Sequence, residues 1–391
     1  MKAPPFFLRP LVAVLLLAIL PGCATVKGWL SKDDDEAGAP AALVEFTASA
    51  NPSTSWSASA GKGEKRLGVR QRPAVADGRV YAAAVNGDVS AYDLQSGTKL
   101  WSFDSDARLT GGPAAADGLV VVGGLDGEVL ALDAATGTQK WTAKVSNEVI
   151  TAPAIGQGLV LVRSNDGRVT AFDAQNGEQR WFYNTDLPSL TVRGNAPVVL
   201  GPGVAFVGND DGTLAAMSMA DGRLIWNQVV GVPDGRTELE RMADVDGAPV
   251  LDGSTLFASS FKNETVAIDG PSGRPLWTRE RGGAGGLGLA ASSVVVADAA
   301  GTVWALDKGT GEPLWSNPTL ARRSLSAPAV HGDYVVVGDF DGYVHWLRLD
   351  TGELAARSRV GGDAVKAQPL VVDGTLLVQD VGGKITAFGL Q

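Results

Sequence analysis

The sequence predicts an all-β fold, an eight-bladed β-propeller of four-stranded antiparallel blades. One Trp per repeat recurs at intervals of 38 to 51 residues, a spacing typical of propeller blades. Between these Trp residues, short apolar runs alternate with turns that contain Gly, as expected of consecutive antiparallel strands. The chain has 50 Gly among 391 residues and only 19% charged residues, a composition typical of a turn-rich globular protein.

Each repeat ends in a string such as ALDAATGTQKW at residues 131–141. We expect the Asp of this string to accept backbone N–H groups and its Gly to close a hairpin in a left-handed conformation. The Trp offers a flat apolar surface that can dock between adjacent blades. An eighth repeat retains Thr-Gly at residues 351–352 but has Ala356 in the Trp position. The seven predicted docking residues are Trp56, Trp101, Trp141, Trp181, Trp226, Trp277 and Trp315.

Closure of the ring is predicted from its two incomplete ends. The last repeat contains only three predicted strands, the third of which is KITAFGL at residues 384–390. The segment at residues 53–58, with Trp56, has the pattern of a fourth strand that lacks the preceding three. We therefore expect the N-terminal strand to complete the C-terminal blade. We also expect this closure to leave no unpaired strand edge in the ring.

Residues 1–22 are predicted to be a cleaved lipoprotein signal peptide. Their apolar run at residues 11–20 is too short to span a bilayer, which needs about 20 helical residues. The Leu-Pro-Gly-Cys that follows resembles a bacterial lipobox, and this resemblance implies acylation of Cys23. Residues 23–40 then form the acylated Cys and a flexible acidic tether, and residues 41–391 form a single propeller domain.

The composition gives little support to an enzyme. The formal net charge of -10 argues against nucleic acid as a partner, since phosphate backbones require clustered cations. The chain has two His and one Cys, and no cluster of acidic and amide residues stands apart from the carboxylates of the turns. We therefore expect no catalytic residue, no metal and no cofactor besides the lipid on Cys23. The same repeat occurs in quinone-dependent (PQQ) dehydrogenases, so a dehydrogenase-like or generic ligand-binding propeller lipoprotein stays open as an alternative.

Two consecutive repeats are longer than the others, and we expect function where the repeat is interrupted. The first insertion has about five extra residues around residues 186–197, and the second has about ten around residues 230–249. Because the two blades are neighbours, we expect both loops to be exposed on the same side of the ring. Apolar, cationic and acidic side chains together are typical of a protein-binding hot spot. The candidate residues are Leu190, Val192, Arg193, Asp244 and Asp246.

These segments resemble the BamB family, the lipoprotein propellers of the outer-membrane β-barrel assembly (BAM) machinery. The likeness extends from residue 23 to the last residue. Its most specific parts are the two insertions and GDFDGYVHWL at residues 338–347. The resemblance implies a non-enzymatic scaffold, lipid-anchored to the periplasmic face of the outer membrane. It also implies binding to the periplasmic POTRA region of BamA, help for unfolded outer-membrane protein clients, and BamA contacts at the five candidate residues.

Overall fold

The computed structural model of the protein describes residues 38–194 and 196–390. The predicted signal peptide, Cys23 and almost all of the predicted tether lie outside the described residues. One compact unit extends from Pro40 to Gln391. Within the described residues, no helix has the length and apolar character needed to cross a membrane.

Eight four-stranded antiparallel sheets follow one another around the ring, which confirms the predicted propeller. Blade 1 consists of β2 (Ala74–Ala76), β3 (Arg79–Ala83), β4 (Asp88–Asp93) and β5 (Lys99–Asp104), and blade 2 of β6 (Leu109–Ala116), β7 (Leu119–Gly124), β8 (Glu128–Asp133) and β9 (Gln139–Lys144). Blade 3 consists of β10 (Ala154–Gly156), β11 (Leu159–Arg163), β12 (Val169–Asp173) and β13 (Gln179–Tyr183), and blade 4 of β14 (Val199–Gly201), β15 (Val204–Gly208), β16 (Thr213–Ser218) and β17 (Leu224–Val229).

A short helix, α1 (Glu238–Arg241), separates blades 4 and 5. Blade 5 consists of β18 (Val250–Asp252), β19 (Thr255–Ser259), β20 (Thr265–Asp269) and β21 (Pro275–Arg279), and blade 6 of β22 (Leu287–Leu289), β23 (Ser293–Ala297), β24 (Val303–Asp307) and β25 (Pro313–Asn317). Blade 7 consists of β26 (Ala329–His331), β27 (Tyr334–Gly338), β28 (Tyr343–Arg348) and β29 (Leu354–Arg359), and blade 8 of β30 (Leu370–Val372), β31 (Thr375–Gln379), β32 (Lys384–Leu390) and β1 (Pro52–Ser59). In blades 1 to 7 the first strand is innermost and the fourth is outermost.

Blade 8 closes the ring as predicted, because β1 from the N-terminal side pairs antiparallel with β32. Its strand order is β1-β32-β31-β30, with β1 outermost. The expectation that closure leaves no unpaired edge is wrong. The outermost strand of each blade, such as β9 in blade 2, has a hydrogen-bonded neighbour on one side only. Blades associate through their faces, so closing the ring does not pair their outer edges.

The core consists of apolar clusters between neighbouring blades, one at each of the eight junctions. Between blades 1 and 2, for example, Tyr81 and Val89 pack with Val120 and Leu132. Both faces of each sheet are therefore covered, and all six residues of β7 are buried. This explains why the middle strands are continuous apolar runs in the sequence instead of alternating ones.

Each of the seven repeat Trp residues reaches from the outer strand of its own blade to the next blade. The indole Nε1–H groups donate to backbone carbonyls there at 2.8–3.1 Å. The ring also packs on the Gly of the turn that follows the third strand of that next blade. A Cβ at Gly137, for example, would lie 2.6 Å from the Trp101 ring, and the φ of Gly137 is 74°. Glycine is therefore required in this turn both by the backbone and by the neighbouring indole.

The junction between blades 7 and 8 is built differently. Ala356 occupies the Trp position of β29 and is buried. In blade 8 the third strand, β32, and the outer strand, β1, are not consecutive in the chain, so no turn joins them. The N-terminal segment (residues 41–50) covers this place, with the amides of Ser49 and Ala50 donating to the Ala355 carbonyl at 2.9 and 3.1 Å.

A second indole fills the interior of the same junction. Trp346 of β28 is fully buried and packs edge-on against Phe388, with 5.4 Å between ring centroids. Its Nε1–H donates to Nδ1 of His331 at 3.3 Å. Nε2 of His331 lies 2.9 Å from the Gly374 carbonyl in blade 8. Since an indole N–H can only donate, Nδ1 accepts, and Nε2 carries the proton that bridges the two blades.

Candidate functional site

The two insertions, which we call the first loop (residues 186–197) and the second loop (residues 230–249), lie on one face of the ring and contact each other. Both connect the outer strand of one blade to the inner strand of the next. The Val192 amide donates to Oδ1 of Asp244 at 2.8 Å, which joins the loops directly. The second loop is also fixed to the turns beside it, since the Val245 amide donates to the Asn209 carbonyl at 3.1 Å.

The exposed part of the first loop combines an apolar and a cationic side chain. Leu190 is 43% exposed, and Val192 beside it is half-buried. Arg193 is exposed at its side chain, but its guanidinium has fixed partners. Nε donates to Oε1 of Glu148 at 3.1 Å, Nη2 forms an ion pair with the same carboxylate, and Nη1 donates to the Leu67 carbonyl at 2.7 Å. The cation is therefore preorganised at the surface.

Glu148 is itself oriented by the neighbouring blade. Nδ2 of Asn165 donates to Oε1 of Glu148 at 2.7 Å, and the Asn165 amide donates to the Glu148 carbonyl at 2.9 Å. Three separate parts of the chain thus fix the position of Arg193. Sequence reasoning did not identify Glu148, because its distance of 45 residues from Arg193 conceals the pairing.

The expectation that Asp244 and Asp246 are exposed on this surface is wrong. Asp244 is 0% exposed and Asp246 is 4% exposed. The second loop folds inward at this point, and the Phe261 amide donates to the Asp244 carbonyl at 2.8 Å. A Cβ at Gly194 would overlap the Asp246 carboxylate, so this side chain lies directly beneath the first loop. The two carboxylates therefore lie beneath the first loop, shielded from solvent, and Asp244 accepts a hydrogen bond from it.

A third carboxylate joins this pair. Oxygen atoms of Asp210, Asp244 and Asp246 lie within 4.8 Å of one another, and all three residues are buried. Arg163, only 2% exposed, donates from Nη2 to Oδ1 of Asp210 at 2.8 Å and from Nη1 to the Ala196 carbonyl at 3.4 Å. The sequence-based view that no acidic cluster stands apart from the turn carboxylates is therefore wrong.

Burial strongly disfavours the ionised forms of this acidic cluster. It raises the pKa of Asp244 to about 6. Burial also raises the pKa of Asp246 to about 7, and the nearby Asp244 charge acts in the same direction. For Asp210 burial again raises the pKa, opposed by the Arg163 guanidinium. The three carboxyl groups thus take up protons more readily than exposed Asp side chains do.

The remainder of the second loop presents α1 to solvent. Thr237 and Glu240 form a reciprocal capping box at its N-terminus, a pattern that Thr-Glu-Leu-Glu would have revealed in the sequence. Nζ of Lys262 donates to the Asp234 carboxylate at 2.7 Å and fixes the start of the loop. Leu239 is 65% exposed on α1 and Val232 is 55% exposed. Sequence analysis did not single out either apolar residue.

The ring and its paired loops define the class of protein, an eight-bladed propeller scaffold with a preorganised loop surface at one face. The family described as outer membrane protein assembly factor BamB matches residues 85–317 and 300–390. A relative from Xanthomonas campestris pv. campestris with that name is 59% identical over 403 residues, covering 100% of this chain and 99% of the relative. The chain belongs to the BamB family.

Solved structures agree with this assignment. The crystal structure of BamB from Moraxella catarrhalis is similar at a TM-score of 0.80 and 27% identity, covering 87% of this chain and 100% of that one. The quinohemoprotein alcohol dehydrogenase from Comamonas testosteroni has a TM-score of 0.68 and 16% identity, covering 86% of this chain and 76% of that one. The second likeness shows the fold alone. This chain is therefore grouped with assembly factors and not with enzymes.

Proposed function

We propose that this chain is a non-enzymatic, lipid-anchored scaffold of the BAM complex, which binds the POTRA region of BamA at the periplasmic face of the outer membrane. The lipid on Cys23 is its only added group in this proposal. Its relatives are named as outer membrane protein assembly factors, a name that implies a place in the assembly of other membrane proteins. The two loops that interrupt the repeat supply the surface for binding.

The observation that carries this proposal is the contact patch formed by Leu190, Val192 and Arg193. Binding hot spots are enriched in Arg and combine it with apolar contact area. Arg193 is already fixed by Glu148 and the Leu67 carbonyl, so its own side chain loses little entropy when a partner binds. Asp244 has a positioning role here, because it accepts the Val192 amide from below.

Assistance to unfolded outer-membrane proteins is part of the same proposal. Extended segments bind other proteins by adding a strand to an exposed sheet edge. The outermost strand of a blade, such as β9, offers an edge of this kind. A scaffold that binds BamA at one face can present such edges around its perimeter.

Charge reversal in the contact patch tests the proposal. We expect Arg193→Glu to reduce co-purification with BamA by roughly tenfold or more, because it places a carboxylate beside Glu148 and removes a preorganised cation. Arg180→Glu is the matched control, since Arg180 is an exposed cation on the outer strand β13. Thermal unfolding of both variants verifies the ring. If folded Arg193→Glu retains as much BamA as the control does, the contact patch is assigned wrongly.

A further inference from the structure

The acidic cluster beneath the first loop differs from the other buried carboxylates of the described chain. One oxygen from each of Asp210, Asp244 and Asp246 lies within 4.8 Å of the other two. Asp210 comes from the turn between β15 and β16, and the other two come from the second loop. The cluster therefore joins blade 4 to the loop that connects it to blade 5.

Several carboxylate oxygens of this cluster accept no hydrogen bond from the described residues. Both carboxylate oxygens of Asp246, at 4% exposure, have no hydrogen-bond partner among the described residues, and neither has Oδ2 of the fully buried Asp244. The oxygens that converge in the cluster thus include atoms that no protein donor reaches. Buried carboxylates are strongly unfavourable in this state, because they have lost hydration without compensation.

A buried carboxylate elsewhere in the ring shows what full compensation looks like. Asp339, 0% exposed, accepts from Nε of Arg323 at 2.7 Å, Nε2 of His345 at 2.9 Å and the Tyr343 amide at 2.9 Å. Protein donors fill its coordination. Asp246 has no such donors, so the fold leaves its oxygens available to a ligand that accepts electron pairs.

The charges of the cluster indicate the kind of ligand. Three ionised carboxylates bring three negative charges, and Arg163, which is bonded to Asp210 at 2.8 Å, supplies one positive charge. The hydrogen-bonded group thus has an excess of two negative charges when ionised. Arg70 and Arg72 line the same cavity as Asp246, but neither donates a hydrogen bond to its carboxylate. A divalent cation matches the excess within the hydrogen-bonded group.

A cavity of about 90 Å³ reaches the cluster at Asp246. Its lining includes two cations and three polar residues, namely Arg70, Arg72, Thr110, Thr151 and Gln368. An ion bound at the cluster can keep water ligands on the cavity side. Calcium accepts six to eight oxygen ligands in flexible geometry, with carboxylates and water among them.

We propose that Asp210, Asp244 and Asp246 bind one hard divalent cation of the calcium class. The carboxylate oxygens supply the protein ligands and water completes the shell. A bound cation ties the turn of blade 4 to the second loop. Through the hydrogen bond from Val192 to Asp244 it also fixes the first loop. Calcium binding can be measured with the purified chain alone, so its failure is distinguishable from a failure of the proposed BamA contact.

Calcium binding to the chelator-treated protein tests this inference. Titration calorimetry at about pH 8, where carboxylates ionise most readily, should show one calcium ion per wild-type chain, and thermal unfolding should shift upward with calcium. Asp246→Asn should weaken calcium binding by roughly tenfold or more, because the number of charged ligands sets calcium affinity. The matched control Asp350→Asn changes an exposed Asp and should bind as the wild type does.

The variant also separates a ligand from a structural residue. Without calcium, Asp246→Asn should unfold at the wild-type temperature or above it, because it removes a buried charge that has no partner. Asp244→Asn provides a second test if Asp246→Asn does not fold. Two outcomes overturn the proposal: a wild type whose unfolding is the same in calcium and in chelator, or an Asp246→Asn chain that calcium stabilises as much as it stabilises the wild type.

Discussion

At seven of the eight blade junctions an indole from one blade packs on a glycine turn of the next, whereas Ala356 stands in that position between blades 7 and 8. The difference follows from how the ring closes. The glycine turn joins the third and fourth strands of the receiving blade, and in blade 8 the fourth strand is β1 from the N-terminal side. Without that turn, an indole at residue 356 would have no surface on which to dock.

The eighth junction is stabilised by parts that the other seven do not use. Trp346 and Phe388 fill its interior, and the N-terminal segment covers its outer side at Ala355. Whether a blade has Trp at this position therefore depends on the next blade, which must offer a glycine turn on which the indole can pack. Three substitutions distinguish these two kinds of junction.

The largest effect is expected at a junction of the first kind. Trp141→Ala should lower the free energy of unfolding by about 3–5 kcal/mol, because it removes a buried ring and its hydrogen bond to the Ala174 carbonyl at 3.0 Å. Chemical denaturation measures the loss. Lys140→Ala changes the exposed neighbour on the same strand and should alter stability by less than about 0.5 kcal/mol. Equal losses in the two variants would contradict a docking role for the indole.

A smaller loss of stability is expected at the eighth junction, caused by adding a ring where the previous substitution removes one. Ala356→Trp should lower the free energy of unfolding by about 1–3 kcal/mol, because it overpacks a filled cluster in which Ala356 is 4% exposed. Glu353→Trp adds the same ring at an exposed position before β29 and serves as the control in the same denaturation experiment. A gain in stability for Ala356→Trp would show that blade 8 does offer a docking surface.

The smallest effect concerns pH and also belongs to the eighth junction. Burial lowers the pKa of His331, although its hydrogen bond to the Gly374 carbonyl acts in the opposite direction. The unfolded chain therefore binds a proton more readily than the folded chain does. The stability contributed by neutral His331 is present above the unfolded pKa of about 6.5 and is lost as the pH falls below it. Protonation would also place an N–H opposite the Trp346 indole N–H.

His331→Gln isolates this contribution, because Gln can accept from Trp346 and donate to Gly374 at any of these pH values. Between about pH 7 and pH 5, the free energy of unfolding should fall less in His331→Gln than in the wild type. Denaturation curves at both pH values give the difference. Comparing the two chains cancels the titration of His345 and of the acidic cluster, which are common to both. If both chains lose stability equally as the pH falls, protonation of His331 does not affect this junction.

The repeat could be predicted from the sequence because its interactions are local. Oδ1 of Asp133 accepts from the amides of Ala135 and Thr136, both at 3.0 Å, within one turn. Each indole meets a carbonyl of the very next blade, such as Trp101 with Ala134, which lies 33 residues further along. Patterns of this range recur in the sequence, so their number and spacing revealed the ring and its closure.

The acidic cluster could not be predicted in the same way. An Asp in a long polar loop is normally solvated, and the burial of Asp244 depends on how the second loop packs against the first. That packing joins residues that are 52 positions apart. Only the folded arrangement shows that these carboxylates lie beneath the loop surface and not on it.

One signal in the sequence did point to the cluster. The second strand ends in Ala, Gly or Ser in six of the eight blades, in Gln379 in blade 8 and in Arg163 in blade 3. A cation at a position that is small in most blades and buried in this one requires a carboxylate partner. Comparing the repeats with one another, position by position, would therefore have predicted a buried acidic residue near blade 3.

The pairing of β1 with β32 determines when the ring can close during synthesis of the chain. Each of blades 1 to 7 contains four consecutive strands and can assemble as its part of the chain emerges. Blade 8 can form only after Lys384–Leu390 has been synthesised, because β1 pairs with this strand. Before that, β1 can already contact blade 1, because Trp56 donates to the Leu94 carbonyl, only 38 residues away. A chain that stops before residue 384 leaves β1 without its partner, so ring closure requires that synthesis has passed β32.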